Sequence, residues 1–412
     1  MNASITLTVK PARPELQVCN EPQLVYLFVR AQTHVAAQRA IPLNVCLVLD
    51  RSSSMRGERL FYLKEAARQV VSQMDDRSSF GLVVFNDRAE VIIPAQAICE
   101  HDTMRQTISS LEASGGTEMA QGLAVGLQEI ERPKISGISR LILLTDGRTY
   151  GDEHACIELA RRAQRRGIGL TALGVGTDWN EDLLETMTAD PNSRTQYIAS
   201  PREIVSVFEA ELARLQSTIA QNVELTVTTH PEAQIRSMYR VQPFIAPLHV
   251  QEVGNGGWRA PVGEWAAGDD QTFMLELVVP PVTAGTHPIA RIDLRYDLIN
   301  NPGNHSLATT RLQLPAVAHA SSAVDHAARR ALERVFAFQL QQQAWQAVTA
   351  GKLDDATKRL QTAGTHLFNA GEVALAETVH AEATRLLQGS STSADGRKRI
   401  KYGTRGLIAK LV

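Results

Sequence analysis

The stretch Leu43-Asn44-Val45-Cys46-Leu47-Val48-Leu49-Asp50-Arg51-Ser52-Ser53-Ser54-Met55 decides how this chain is read. Seven residues, nearly all apolar and without polar alternation, predict a strand covered on both faces, as in a parallel sheet. The run breaks on Asp-x-Ser-x-Ser, and residues 58–74 follow with Leu60, Leu63, Ala67, Val70 and Met74 spaced as one helical stripe. In open α/β sheets ligands sit beyond the carboxyl ends of the strands, so Asp50, Ser52 and Ser54 stand where such sites are built.

Working outward, Phe80–Phe85, Leu141–Leu144 and Gly169–Val175 repeat the compact apolar style. Helical stripes at 118–131, 152–166, 180–189 and 202–219 alternate with them, which predicts a doubly wound parallel sheet over residues 41–219. The strand 141–144 runs into Thr145-Asp146-Gly147 and brings a second carboxylate to the same edge. Ser114-Gly115-Gly116-Thr117 sets a hydroxyl on a glycine turn before another helix.

On both sides of this segment the patterning changes. Ala3–Lys10 alternates Ile5, Leu7 and Val9 with polar residues, and Gln23–Ala31 is a second strand-like run. Val223–Thr229, Phe273–Val279, Ile289–Tyr296 and Ala308–Leu314 return to that style between Gly and Pro turns. Two strands alone do not bury a face. Residues 1–40 are therefore expected to join 220–316 in one antiparallel β-sandwich, with the α/β domain inserted. Residues 317–390 predict a small helical region, with helices near 322–349, 353–369 and 372–388. Residues 391–412 read as a linker and a basic, then apolar, tail. Ile400, Tyr402, Leu407 and Ile408 of that tail predict an extended segment docked on the α/β domain or the sandwich.

Composition narrows the function. The 412 residues are 44% hydrophobic and 21% charged, with a net charge of −2, so neither disorder nor a nucleic-acid-binding field is expected. Cys19, Cys46, Cys99 and Cys156 are dispersed, which suits a reducing compartment, and no apolar run spans a bilayer. A cytoplasmic protein that binds neither nucleic acid nor membrane is expected. There is no GxxxxGK[ST], GxSxG or HExxH pattern.

Asp50, Ser52, Ser54, Thr117 and Asp146 resemble the metal-ion-dependent adhesion site of the von Willebrand factor type A (vWA) family: Asp-x-Ser-x-Ser, then Thr, then Asp. The likeness runs through Gly174-Val175-Gly176, Asn180–Leu184 and Tyr197-Ile198 and covers roughly residues 41–216. It implies a divalent ion bound by Ser52, Ser54 and Thr117, with Asp50 and Asp146 acting directly or through water. An all-oxygen shell suits Mg²⁺, with Mn²⁺ or Ca²⁺ as alternatives. The ion then accepts an Asp or Glu from a protein partner. The arrangement is similar in outline to the sandwich-flanked A domains of inter-alpha-inhibitor heavy chains. Family likeness further implies an intracellular bacterial complex, with an AAA+ ATPase or a kinase/phosphatase module as the partner.

Two other readings stand beside this non-enzymatic one. In the first, the ion serves a metal-dependent hydrolase, with Asp152 or Glu118 as general base. In the second, the chain is a scaffold whose vWA domain is inert.

Overall fold

The structure is a computed structural model and describes residues 4–34, 41–98, 100–135, 137–230, 232–254, 256–299 and 305–406. The chain forms two compact units, one of residues 38–218 and one of residues 1–37 with 219–412. Three strands come first: β1 (Ser4–Pro11), β2 (Leu16–Gln17) and β3 (Gln23–His34). β1 and β3 pair antiparallel.

The 38–218 unit then runs β4 (Leu43–Asp50), α1 (Glu58–Gln73), β5 (Ser79–Phe85), β6 (Ala89–Ala97), α2 (His101–Ser109) and α3 (Met119–Ile130). It continues with β7 (Ile138–Thr145), α4 (Glu153–Arg165), β8 (Gly169–Val175), α5 (Glu181–Met187), β9 (Arg194–Ile198) and α6 (Ile204–Gln216). Its sheet has the order β6-β5-β4-β7-β8-β9, parallel except for β6. Every residue of β4, β5 and β8 is buried, which explains their unbroken apolar runs. The chain order reverses between β4 and β7, and that switch point opens a crevice at their carboxyl ends. Asp50 closes β4 there, and Asp146 follows β7.

α3 lies unusually close to the sheet. A Cβ at Gly122 would come within 2.7 Å of Phe85, and one at Gly126 would strike Val48. Both glycines face the strands, so the helix can seat its amino terminus close to the crevice.

The second unit adds β10 (Thr218–Thr229), β11 (Gln234–Gln242), β12 (Ala246–Pro247), β13 (Gln251–Gly254), β14 (Gly257–Ala266), β15 (Gln271–Val279), β16 (Gly285–Leu298) and β17 (His305–Val317). One sheet has the order β1-β3-β15-β11-β12, the other β13-β14-β10-β16-β17-β2. The doubly wound domain is thus an insertion in an antiparallel sandwich. Leu27, Val29, Leu225, Val227, Trp265, Phe273, Leu275, Ile292 and Leu294 fill the space between its sheets.

The helices α7 (His326–Thr349), α8 (Leu353–Asn369), α9 (Val373–Leu387) and α10 (Ala394–Gly406) complete the chain. α7 is buried on two sides. Leu332, Val335 and Phe338 meet Met274, Val241 and Ile245 of the sandwich, while Ala337, Ala344 and Trp345 join α8 and α9.

The expected extended tail is corrected here: residues 394–406 are helical. Ile400 is fully buried against the helical cluster, and the Arg405 carbonyl accepts from the Ile245 amide at 3.0 Å. The helix satisfies its own backbone, which an extended segment would have to pair elsewhere. Leu407 and Ile408 lie outside the described residues, as does Cys99. Among the described residues no helix is long and apolar enough to cross a membrane.

Candidate functional site

Three loops converge on the crevice, tied together by their backbones. The Ser53 amide and hydroxyl both donate to the Gly115 carbonyl at 3.0 Å. The Ser114 amide donates to the Arg51 carbonyl at 2.8 Å, and the Glu118 amide to the Asn86 carbonyl at 2.7 Å. Gly115 has φ +78°, and a side chain there would run into the Asp87 carboxylate. That carboxylate instead accepts from the Gly116 amide at 2.9 Å.

On this frame four of the five motif residues form one chain of contacts. The Ser52 amide donates to Asp50 Oδ1 at 2.8 Å, and Ser52 Oγ lies 3.0 Å from Ser54 Oγ. Ser54 Oγ in turn donates to Asp146 Oδ1 at 2.7 Å. Thr117, the fifth, faces the residue after Asp146: its Oγ1 would lie 3.5 Å from a Cβ built on Gly147. Its carbonyl accepts from Thr149 Oγ1 at 3.1 Å. Asp50, Ser52 and Asp146 are buried, Thr117 is half-buried and Ser54 is exposed, so the cluster opens to solvent on its serine side.

Burial holds the Asp50 carboxyl up at about 6, despite hydrogen bonds from Ser52 and Thr145 that favour its charged form; the nearby Asp146 adds to the rise. Thr145 Oγ1 supplies one of those bonds, at 2.7 Å to Asp50 Oδ2. The two carboxylates therefore sit in low-dielectric surroundings with hydroxyls between them. Chemically this is a set of hard oxygen donors, incompletely neutralised from within, which fits a small divalent cation with retained waters. Among the described residues no group of three or more His, Cys, Asp and Glu gathers for a metal, so the hydroxyls set the character of the cluster.

Sequence reasoning missed Thr145 and Arg59 as parts of this site. Arg59 Nη1 ion-pairs with Asp146 Oδ2, a contact that helical periodicity alone gives no reason to expect. Asp152, weighed above as a general base, is otherwise engaged. It accepts from the Ala120 amide at 2.8 Å and from the Thr149 hydroxyl, capping the amino end of α3. Glu118 stands at the N-cap position of the same helix.

This geometry, hydroxyls and carboxylates gathered at the switch point of a doubly wound sheet, defines a vWA domain. Residues 44–210 match the von Willebrand factor type A domain family, and residues 326–410 match the Sll0103-like, C-terminal alpha-helical domain. The chain carries a vWA domain, the fold of a metal-dependent protein-interaction module. Protein sll0103 of Synechocystis sp. is 28% identical over 371 residues, 88% of this chain and 87% of that protein. Inter-alpha-trypsin inhibitor heavy chain H1 of Bos taurus is 28% identical over 255 residues, 57% of this chain but only 28% of the relative. Among solved structures, a von Willebrand factor type A protein from Catenulispora acidiphila superposes with a TM-score of 0.76 at 19% identity. That match covers 97% of this chain and 96% of the other and speaks for the fold alone.

Proposed function

We propose that Asp50, Ser52, Ser54, Thr117 and Asp146 hold one divalent ion, Mg²⁺ first and Mn²⁺ or Ca²⁺ in its place, and that the ion binds a protein partner through an Asp or Glu side chain. The observation that carries the reading is the continuous line from Ser52 Oγ to Ser54 Oγ at 3.0 Å and on to Asp146 Oδ1 at 2.7 Å. Neutral hydroxyl ligands leave the ion electrophilic, so an incoming carboxylate is a strong additional ligand. The exposed position of Ser54 gives that carboxylate its approach.

The proposed role is binding rather than catalysis, within an intracellular bacterial complex. Support for the reducing setting comes from the dispersed spacing of Cys19, Cys46, Cys99 and Cys156 in the sequence. Support for a bacterial setting comes from sll0103 of Synechocystis, which resembles this chain over most of both lengths. An AAA+ ATPase or a kinase/phosphatase module is the proposed partner class. A hydrolase reading loses ground because Asp152 is committed to capping α3.

Calorimetry with Mg²⁺ tests the metal. One site is expected in the wild type, and none in Ser52→Ala/Thr117→Ala protein. Unchanged binding in the double variant would sink the assignment. Affinity capture in Mg²⁺ against chelator, repeated with Asp146→Ala, tests the partner: proteins retained equally in all arms would favour an inert-scaffold role.

A further inference from the structure

A cation from the chain itself already engages one of the proposed ligands. Arg59 belongs to the first turn of α1, just after the loop that carries Ser52 and Ser54. Its Nη1 pairs with Asp146 Oδ2 and also donates to the Ser54 carbonyl at 3.2 Å. Gly176 forms the third side of the slot: a Cβ there would lie 3.3 Å from Arg59 Nη2. A carboxylate, a carbonyl and a bare glycine thus make a fitted seat for the guanidinium, and two of the three come from the ligand-bearing segments. The partners differ in freedom. The Asp146 side chain is 0% exposed, whereas that of Arg59 keeps 29%. Arginine can withdraw along its flexible stem towards solvent, and the buried aspartate cannot follow.

We propose that Arg59 is a built-in counter-ion that competes with the divalent ion for Asp146, setting the metal affinity of the site and leaving as the ion enters. The proposal rests on the metal reading above. Its physical basis is simple. A guanidinium seated on Asp146 neutralises part of the charge that would attract the ion, and it repels the ion directly. A unit charge about 6 Å from a dication, even at the dielectric of water, weakens binding about tenfold. Once displaced, the guanidinium stands at the rim of the site with its donors free for a carboxylate. The same acidic side chain that reaches the ion would then meet Arg59. Ion binding in this way converts an internal ion pair into a recognition element.

The test uses the full chain and Mg²⁺ alone as probe. Calorimetry on Arg59→Ala and Arg59→Gln is expected to show Mg²⁺ bound about tenfold more tightly than in the wild type, with Arg59→Lys in between. Circular dichroism checks that each variant is folded, and the Gln variant retains bulk in the slot should the Ala variant fail. In parallel, the Arg59 side-chain Nε–H signal of the wild type should move and broaden into solvent exchange as Mg²⁺ is added. Equal or weaker Mg²⁺ binding in a folded neutral variant, or an Arg59 signal that stays put while Mg²⁺ binds, overturns the proposal and leaves the metal reading intact. Absence of Mg²⁺ binding in both the wild type and the neutral variants overturns the metal reading itself.

Discussion

Asp50 and Glu211 are both fully buried carboxylates of the 38–218 unit, and the fold treats them in opposite ways. Glu211, on α6, accepts from Thr171 Oγ1 at 2.6 Å and from Arg214 at 3.2 Å, and it also ion-pairs with Arg194. Asp50, at the end of β4, is met by a hydroxyl and an amide, and its charged neighbour is another acid. Both side chains are shielded from water, yet only Glu211 has cations in place to balance it. Neutralisation is complete at Glu211 and is withheld at Asp50, even though Asp146 across the same crevice is paired with Arg59. Unbalanced buried charges of the Asp50 kind are frequent at functional sites, which is the contrast the proposed metal site rests on.

The largest effect expected from this contrast is at Glu211. Glu211→Ala takes a buried acceptor away from Thr171, Arg194 and Arg214, so the protein should lose about 3–5 kcal/mol in urea unfolding. A loss below about 1 kcal/mol would mean that the pairing contributes little.

Asp50→Asn should act in the other direction. Raising a carboxyl from 3.8 to about 6 disfavours its charged form by roughly 3 kcal/mol at pH 7. In chelator the Asn variant should therefore be more stable than wild type by up to that amount. The sign with pH follows. The folded state holds this proton more tightly than the unfolded chain, so the penalty is present above about pH 6 and fades as pH falls towards 4. The wild type should approach the variant in acid, and unfolding curves at pH 7.5 and pH 4.5 check it. A gap independent of pH would assign the effect to something other than the charge.

Adding Mg²⁺ should sharpen the comparison further. At one hundred times its dissociation constant a ligand stabilises by about 2.7 kcal/mol. Wild type should gain this in thermal unfolding, and Asp50→Asn and Ser52→Ala should gain far less. Equal gains in all three proteins would separate Mg²⁺ from this site. The smallest effect is at Thr145, whose hydroxyl bonds Asp50 Oδ2 at 2.7 Å. Thr145→Val should cost about 1–2 kcal/mol in the wild type and much less beside Asp50→Asn, a coupling that a double-mutant cycle reads directly.

Much of this architecture is legible in the sequence, for identifiable reasons. Strands β4, β5, β7 and β8 are covered on both faces and so announce themselves as apolar runs. β11 does not, because the register shifts between Ile235 and Ser237 and again between Arg240 and Gln242. Each bulge breaks the period of two on which strand reading depends. β6 and β9 lie at the sheet edges and are only partly buried, so their composition gives no clear signal. α10 looks like a solvated basic run, yet Lys398 and Lys401 are buried in it along with Ile400. At the site, residue types and spacing identify Asp50 and Asp146, but nothing in the pattern distinguishes Arg59, which pairs with Asp146, from the exposed Arg56.

The stitching of the three loops has a consequence for how such a domain changes over time. The bonds that hold the loops together run from the Ser53 amide to Gly115, from the Ser114 amide to Arg51 and from the Glu118 amide to Asn86. They are made by main-chain atoms, which nearly every substitution preserves. Exchanging the Ser52 or Ser54 side chain therefore leaves these three bonds in place. Much of the architecture is thus written in atoms other than those that carry the chemistry, with the Ser53 hydroxyl, the Asp87 carboxylate and the Thr149 hydroxyl as the side-chain stitches that substitution could undo.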